Sequence, residues 1–230
     1  MTQTTNIGLT SPFAAGDKPR MSDNSTTSGT YPLIRNVCVY CGSAAGVDPR
    51  YVAAARTFGH ALAEAGIGLV YGGGGKGMMG AVARATLENG GRVTGIIPEF
   101  LTQRDMLLDE AQTRIVVGDM HTRKRLMFEH ADAFVALPGG IGTLEELVEQ
   151  LTWVQLERHT KPVVIADIGG FWRPLLALFA HMREHGFIQP QFEVRYLVAQ
   201  KIEDVLPMMQ AAAERSATLG TAKETVDPRL

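Results

Sequence analysis

A stretch near the middle of the chain, Ala136–Leu147, combines an anion-binding backbone with two carboxylates. It reads ALPGGIGTLEEL. A short apolar run ends in a glycine-rich turn, and a helical pattern follows. Such a turn leaves backbone N–H groups free at the positive end of a helix, which favours phosphate or another anion. Because Glu145 and Glu146 follow at once, they must serve some chemistry other than anion binding.

Two interpretations fit these glutamates. Thr143 and Glu146 have the T-x-x-E spacing of a capping box, in which Glu146 bonds back to the Thr143 amide. Alternatively, the Glu146 carboxylate acts on a substrate whose phosphate lies in the turn. Glu145 fits a solvated acid that complements the helix dipole.

Two further glycine-containing turns follow apolar runs. In the turn at 40–43, glycine allows close backbone approach and Ser43 offers a hydroxyl. Gly72–Gly75 is a run of four glycines, which predicts a nest of amides around a phosphate at a helix start. Its G-x-G-x-x-G matches also permit a dinucleotide site with Glu99 on the ribose. A Walker A loop is excluded, since Gly77 replaces the required Ser or Thr.

A basic cluster, Arg123–Arg125, lies at the start of another predicted helix, just after His121. Three adjacent bases there oppose the helix dipole, so we expect an anionic partner. The simpler alternative is a solvated basic face that pairs with Asp119 or Glu129.

Apolar runs alternate with helical patterns along the chain between its two polar ends. This alternation predicts an α/β fold, a Rossmann-like, doubly wound, mostly parallel sheet of about seven strands with helices on both faces. Ligands of such sheets bind at the carboxyl ends of strands, where the turns above lie. The predicted strands are 34–40, 67–71, 92–97, 114–117, 132–137, 162–166 and 194–198. The predicted helices are 49–65, 77–89, 120–130, 143–158, 172–185 and 202–214.

Composition limits the classes of function. The 230 residues carry a net charge of −2, with no basic surface for nucleic acid. No apolar run reaches the length of a membrane span, and no signal peptide pattern is present, so we expect a cytoplasmic protein. Cys38 and Cys41 are expected to be structural rather than a metal or redox pair.

Residues 31–217 are predicted to form a single domain. A disordered tail is predicted over 1–30 and a polar tail over 218–230, because large apolar residues are scarce in both. Met1 and Met21 are both possible start sites.

Three motifs occur in an order that points to a known family. Residues 138–146, PGGIGTLEE, fit PGGxGTxxE; Arg123 and Lys124 fit an upstream M-H-x-R-K element; residues 72–80, GGGGKGMMG, fit GGGxxGxMG. Over residues 34–210 the chain resembles the LONELY GUY family of cytokinin riboside 5′-monophosphate phosphoribohydrolases, often labelled possible lysine decarboxylases. The resemblance implies a Rossmann-like homodimer that hydrolyses the N-glycosidic bond of a nucleoside 5′-monophosphate. The products are free base and ribose 5-phosphate, and neither cofactor nor metal is implied.

The resemblance also assigns roles. It implies that Arg123 and Glu146 are the catalytic pair, with Glu146 stabilising an oxocarbenium-like transition state or activating water. Arg123 would orient phosphate or ribose and hold Glu146 ionised. The loop around Asp105 departs from the plant-type pattern and receives no role. The candidate substrate-binding residues are Ser43, Gly73, Gly74, Lys124, Gly139, Gly140, Gly142, Thr143, Glu145 and Thr152.

Several alternatives stay open. The same site could serve an AMP nucleosidase, and a nucleotide carrier or an NAD(P)-dependent enzyme would also bind phosphate. Lysine decarboxylation fits poorly, because it needs pyridoxal phosphate on a Schiff-base lysine and Lys76 and Lys124 lie beside anion sites. The apolar helix face formed by Leu147, Leu151 and Val154 could pack in the core or across a dimer interface. Candidates to line a pocket for an N6-isoprenoid are Met78, Met79, Met120 and Trp153.

Overall fold

The described residues contain seven parallel strands in one sheet. The structure is a computed structural model and describes residues 34–102, 108, 111–190 and 193–224. In chain order the strands are β1 (Asn36–Tyr40), β2 (Gly68–Tyr71), β3 (Val93–Pro98), β4 (Thr113–Val117), β5 (Ala133–Ala136), β6 (Val163–Ala166) and β7 (Leu197–Ala199). Their order across the sheet, β4-β3-β2-β1-β5-β6-β7, confirms the predicted doubly wound class.

Helices cover both faces of this sheet. They are α1 (Pro49–Glu64), α2 (Gly77–Glu88), α3 (Met120–Glu129), α4 (Ile141–Gln155), α5 (Arg173–Glu184) and α6 (Val205–Glu224). One core cluster joins the sheet to α1, α2 and α6, and a second joins it to α3, α4 and α5. The alternation of strand side chains creates these two layers.

β1 shows how the strand sequence divides between the layers. Val37 and Val39 lie in the first cluster, whereas Cys38 and Tyr40 lie in the second. Cys41 returns to the first cluster, so the two buried cysteines lie in different layers and are unbonded. Burial raises the pKa of both thiols, which keeps them protonated and unreactive.

The predicted boundaries of α4 and α6 differ from the structure. α4 begins at Ile141 instead of 143. α6 extends to Glu224, into the segment assigned to the polar tail. The predicted N-terminal tail, Met1, Met21, Asp105 and residues 225–230 lie outside the described residues. None of the described helices is long and apolar enough to cross a membrane.

Candidate active site

The turns that follow β1 and β5 meet at the switch point of the sheet. β1 lies between β2 and β5, so the chain leaves these two neighbouring strands toward opposite sides. The Gly42 amide donates to the Pro138 carbonyl oxygen at 3.1 Å. A Cβ on Gly42 would lie 3.4 Å from the Gly139 Cα, so these turns pack backbone to backbone. Ser43 lies on the exposed side of the first turn.

The start of α4 is an open set of backbone donors. Gly140 is the N-cap and supplies no side-chain cap, and the first intrahelical donor is Leu144, whose amide bonds to the Gly140 oxygen at 3.0 Å. The amides of Ile141, Gly142 and Thr143 precede that donor, and helix geometry gives them no intrahelical acceptor. The predicted capping box is therefore wrong, because Thr143 is the third helical residue and Glu146 bonds elsewhere.

Two glycines at this turn have open space beside their Cα atoms. A Cβ on Gly140 or Gly142 would meet no heavy atom within 4 Å, and neither glycine has a positive φ. Neither packing nor backbone conformation within the described chain therefore requires glycine there. Glycine is common at anion sites at helix starts, where a ligand approaches the backbone closely.

Replacing Gly142 with alanine separates ligand binding from folding. The free energy of unfolding should stay equal or rise by up to about 1 kcal/mol, because alanine favours helix. The KM for a nucleoside monophosphate should rise, because the methyl group occupies the open space. Steady-state kinetics and urea unfolding measure the two effects.

Gly139→Ala is the contrasting variant. Its Cβ would collide with the Thr143 side chain, so it should destabilise the fold. An unchanged KM in folded Gly142→Ala would contradict an anion site at this turn.

Glu146 forms a buried ion pair with Arg123. The Arg123 Nη1 lies 2.7 Å from the Glu146 Oε1, and the two side chains are only 7% and 6% exposed. The Arg123 Nε donates to the Ile96 carbonyl oxygen at 3.2 Å, which fixes the guanidinium against β3. A Cβ on Gly72 would collide with Nη2, so glycine at the end of β2 makes room for this side chain.

The protonation of Glu146 reflects two opposing influences. Burial raises the pKa of its carboxyl, and the Arg123 guanidinium lowers it, with a net rise. Arg123 therefore acts in the expected direction, but burial outweighs it. A carboxylate with a raised pKa is a stronger base, which suits proton transfer near neutral pH.

Lys124 connects α3 to α4 through two carboxylates. Its Nζ lies 2.5 Å from the Glu145 Oε1 and 3.0 Å from the Glu149 Oε1. Burial lowers the pKa of this ammonium, the two carboxylates raise it, and the net direction is a rise. Within the described residues, Lys124 thus pairs with carboxylates of α4, whereas Arg125 pairs with Glu129 at 3.7 Å, as the simpler alternative predicts.

The helix that follows the glycine-rich loop begins with two amides that are bonded within the chain. The amides of Met78 and Met79, at the start of α2, donate to the oxygens of Ala44 at 3.4 Å and Gly42 at 3.2 Å. These two donors are used within the chain and are not available to a phosphate, whereas the nest expected from the amides of Gly72–Gly75 stays a prediction. A dinucleotide site would need them for its pyrophosphate, so the bonds argue against that alternative. Gly73, with φ of +81°, packs against Ile97.

The remaining candidates divide between the site and other surfaces. A Cβ on Gly72 would meet both the Arg123 side chain and, at 3.4 Å, the Met79 Sδ, so Met79 and Arg123 lie close together. Met78 is a core residue. Trp153 packs edge-on against Phe128, with ring centroids 5.0 Å apart. Thr152 lies on the exposed side of α4, where its hydroxyl donates to the Val148 carbonyl oxygen at 2.8 Å. It therefore does not lie on the same side of the helix as the buried Glu146 of this chain. The predicted apolar face of the helix is confirmed as core by Leu147, Leu151 and Val154.

Comparisons with known proteins show which family this chain resembles. Residues 79–209 match the protein family described as "Possible lysine decarboxylase". A cytokinin riboside 5′-monophosphate phosphoribohydrolase from Rhodococcoides fascians is 40% identical over 192 residues, which are 83% of this chain and 97% of that protein. The Arabidopsis thaliana enzyme LOG7, of the same name, is 45% identical over 161 residues, 70% of this chain and 74% of that protein.

A solved structure supports the fold. The molybdenum cofactor carrier protein of Chlamydomonas reinhardtii superposes with a TM-score of 0.59 and 22% identity, over 78% of this chain and 98% of that one. Since one fold can serve both carriers and enzymes, this likeness identifies architecture alone.

Proposed function

The chain belongs to the LONELY GUY family of cytokinin riboside 5′-monophosphate phosphoribohydrolases, and we propose that it hydrolyses N6-modified adenosine 5′-monophosphates to free base and ribose 5-phosphate. The observation that carries the proposal is the buried ion pair of Arg123 with Glu146, which lies on α4, the helix whose start has two glycines with open space beside their Cα atoms. Gly142 and Glu146 are four residues apart, so they share one side of α4. The phosphate and the sugar of one nucleotide therefore have adjacent partners.

In this proposal the amides of α4 hold the phosphate and the carboxylate acts at the sugar. The bond between C1′ and the purine nitrogen breaks, its electron pair leaves with the base, and water adds to C1′. Glu146 stabilises the positive sugar and accepts a proton from that water, while the departing base takes up a proton, so one water is consumed. The Arg123 guanidinium pairs with the Glu146 carboxylate and positions it.

The decarboxylase description of the family gains no support from Lys124. A lysine that forms a Schiff base needs a lowered pKa so that its amine is neutral and nucleophilic. The two carboxylates beside Lys124 have the opposite effect. Lys76 is exposed at the start of α2.

We also propose a cytoplasmic homodimer, in which the outer side of α4 forms the interface. Ile141, Val148 and Leu156 are 81%, 40% and 64% exposed there and lie along one side of the helix with Thr152. Thr152 would then reach a nucleotide only in the partner subunit's site. The free cysteines fit a reducing compartment.

Val148→Asp tests this interface. A buried, unpaired carboxylate at the centre of the stripe should convert the dimer to monomers and reduce activity. Light scattering after size exclusion measures the mass. Leu178→Asp, at an exposed leucine on α5, is the matched control and should stay dimeric. A wild-type monomer at assay concentration, or a Val148→Asp dimer, would contradict the proposal.

The proposed activity is tested with AMP and N6-isopentenyl-AMP in separate incubations. Chromatography then measures the free base. Preference for the isopentenyl substrate supports cytokinin activation with an apolar pocket near Met79. Equal or faster release of adenine assigns the site to an AMP nucleosidase. Binding of nucleotide without release of base from either compound assigns it to a carrier.

A further inference from the structure

The last turn of α5 carries three side chains that can bind a metal on one side of the helix. His181, Glu184 and His185 have i, i+3, i+4 spacing, which places them on one face. Each offers one ligand atom, and these atoms all lie within 4.8 Å of one another. The two imidazole rings have centroids 4.0 Å apart. No metal ligands are predicted above, although His181 and His185 have the spacing H-x-x-x-H.

A hydrogen bond prepares His185 as a ligand. Its Nδ1 lies 2.9 Å from the His181 carbonyl oxygen, which can only accept, so Nδ1 carries the proton. In the neutral ring the lone pair is then on Nε2, which is free of the backbone. Histidine ligands of metals commonly donate their other N–H to a carbonyl in this way, which fixes the ring orientation.

The surroundings favour a cation. The site lies at the C-terminal end of α5, where the helix dipole is negative. Arg183, the nearest base in sequence, has its Nη2 3.6 Å from the Glu193 Oε1. α5 starts beyond the carboxyl end of β6 and runs back along the sheet. Its last turn therefore lies near the amino ends of the strands, at the opposite end of the sheet from the Arg123–Glu146 pair.

We propose that His181, Glu184 and His185 bind one divalent transition-metal cation, of which Zn²⁺ is the best fit. Two imidazoles and a carboxylate are a common zinc ligand set. Bonds of about 2.1 Å bring ligand atoms within roughly 4 Å of each other, and small rotations of these exposed side chains close that gap. Such a ligand set also accepts Ni²⁺ or Cu²⁺, but not Mg²⁺, which prefers oxygen ligands. Bound metal would join the last turn to the cap residue and stabilise the folded chain.

The test is calorimetric titration of ZnCl₂ into the full, untagged chain after treatment with a chelator. One saturable site per chain is expected. His181→Ala should weaken it at least about tenfold, since even loss of an outer partner costs that much. This variant removes an imidazole but keeps the carbonyl to which His185 bonds. MgCl₂ should give no saturable heat.

His130→Ala is the matched control. His130 caps α3 with the same geometry, its Nδ1 2.9 Å from the Leu126 oxygen, but it has a leucine one turn earlier instead of a histidine. It should bind zinc like the wild type. No saturable binding, or binding that His181→Ala leaves unchanged, would overturn the proposal. Because the readout is binding, a failure here is distinct from any failure of nucleotide hydrolysis.

Discussion

Glu146→Gln is expected to lower kcat for nucleotide hydrolysis by about 10²–10⁴-fold, the range of a lost general base. Glutamine keeps the shape and can still accept a hydrogen bond from Arg123, but it neither takes a proton nor stabilises a positive sugar. The affinity for nucleotide should change little, because the amides that hold the phosphate are untouched. Single-turnover kinetics and equilibrium binding separate the two quantities.

Glu129→Gln serves as the control for this experiment. Glu129 also pairs with an arginine, Arg125, but on the exposed side of α3. It should turn over like the wild type. A Glu146→Gln variant with the wild-type kcat would remove the carboxylate from the mechanism and leave it a structural partner of Arg123.

Arg123→Met is expected to have the largest effect on stability. It leaves the Glu146 carboxylate buried without its counter-charge, and such losses cost about 3–5 kcal/mol of unfolding free energy. Arg125→Met, which breaks the exposed pair with Glu129, should cost less than about 1 kcal/mol. Urea unfolding of the two variants gives the comparison.

The cost of Arg123→Met should depend on pH in a defined direction. Burial already raises the pKa of Glu146, and removal of the guanidinium raises it further. A carboxyl whose pKa is higher in the folded than in the unfolded state adds stability below the unfolded pKa and loses it as pH rises through the folded value. The deficit against wild type should therefore shrink as pH falls from 8 toward about 5. A deficit that is constant or grows on acidification would contradict the buried pair.

Periodicity alone predicted the sheet well. Most strands are short, mainly apolar runs between turn residues, and such runs are typical of a parallel sheet covered on both faces. The order of the strands depends on contacts between distant parts of the chain, so the sequence pattern predicts only the fold class. Helix ends were less certain, as the extension of α6 to Glu224 shows.

The site shows where local patterns mislead. T-x-x-E is a local signature, yet Glu146 pairs with an arginine 23 residues away in sequence. A charge-assisted bond to a buried guanidinium outweighs a bond to an amide at an exposed helix end. The run of glycines at Gly72–Gly75 predicts a phosphate nest at a helix start, but local sequence does not show that the Met78 and Met79 amides of that helix donate to oxygens of Ala44 and Gly42 on another turn. Family motifs identified Arg123 and Glu146 because they encode these distant contacts.

The most direct test of the central claim is to quantify both products from N6-isopentenyl-AMP in one reaction. The account predicts equal amounts of free base and ribose 5-phosphate from the wild type, and neither product above background from Glu146→Gln. Bound nucleotide that is recovered intact from the wild type would contradict the account, as would release of base at equal rates by both proteins.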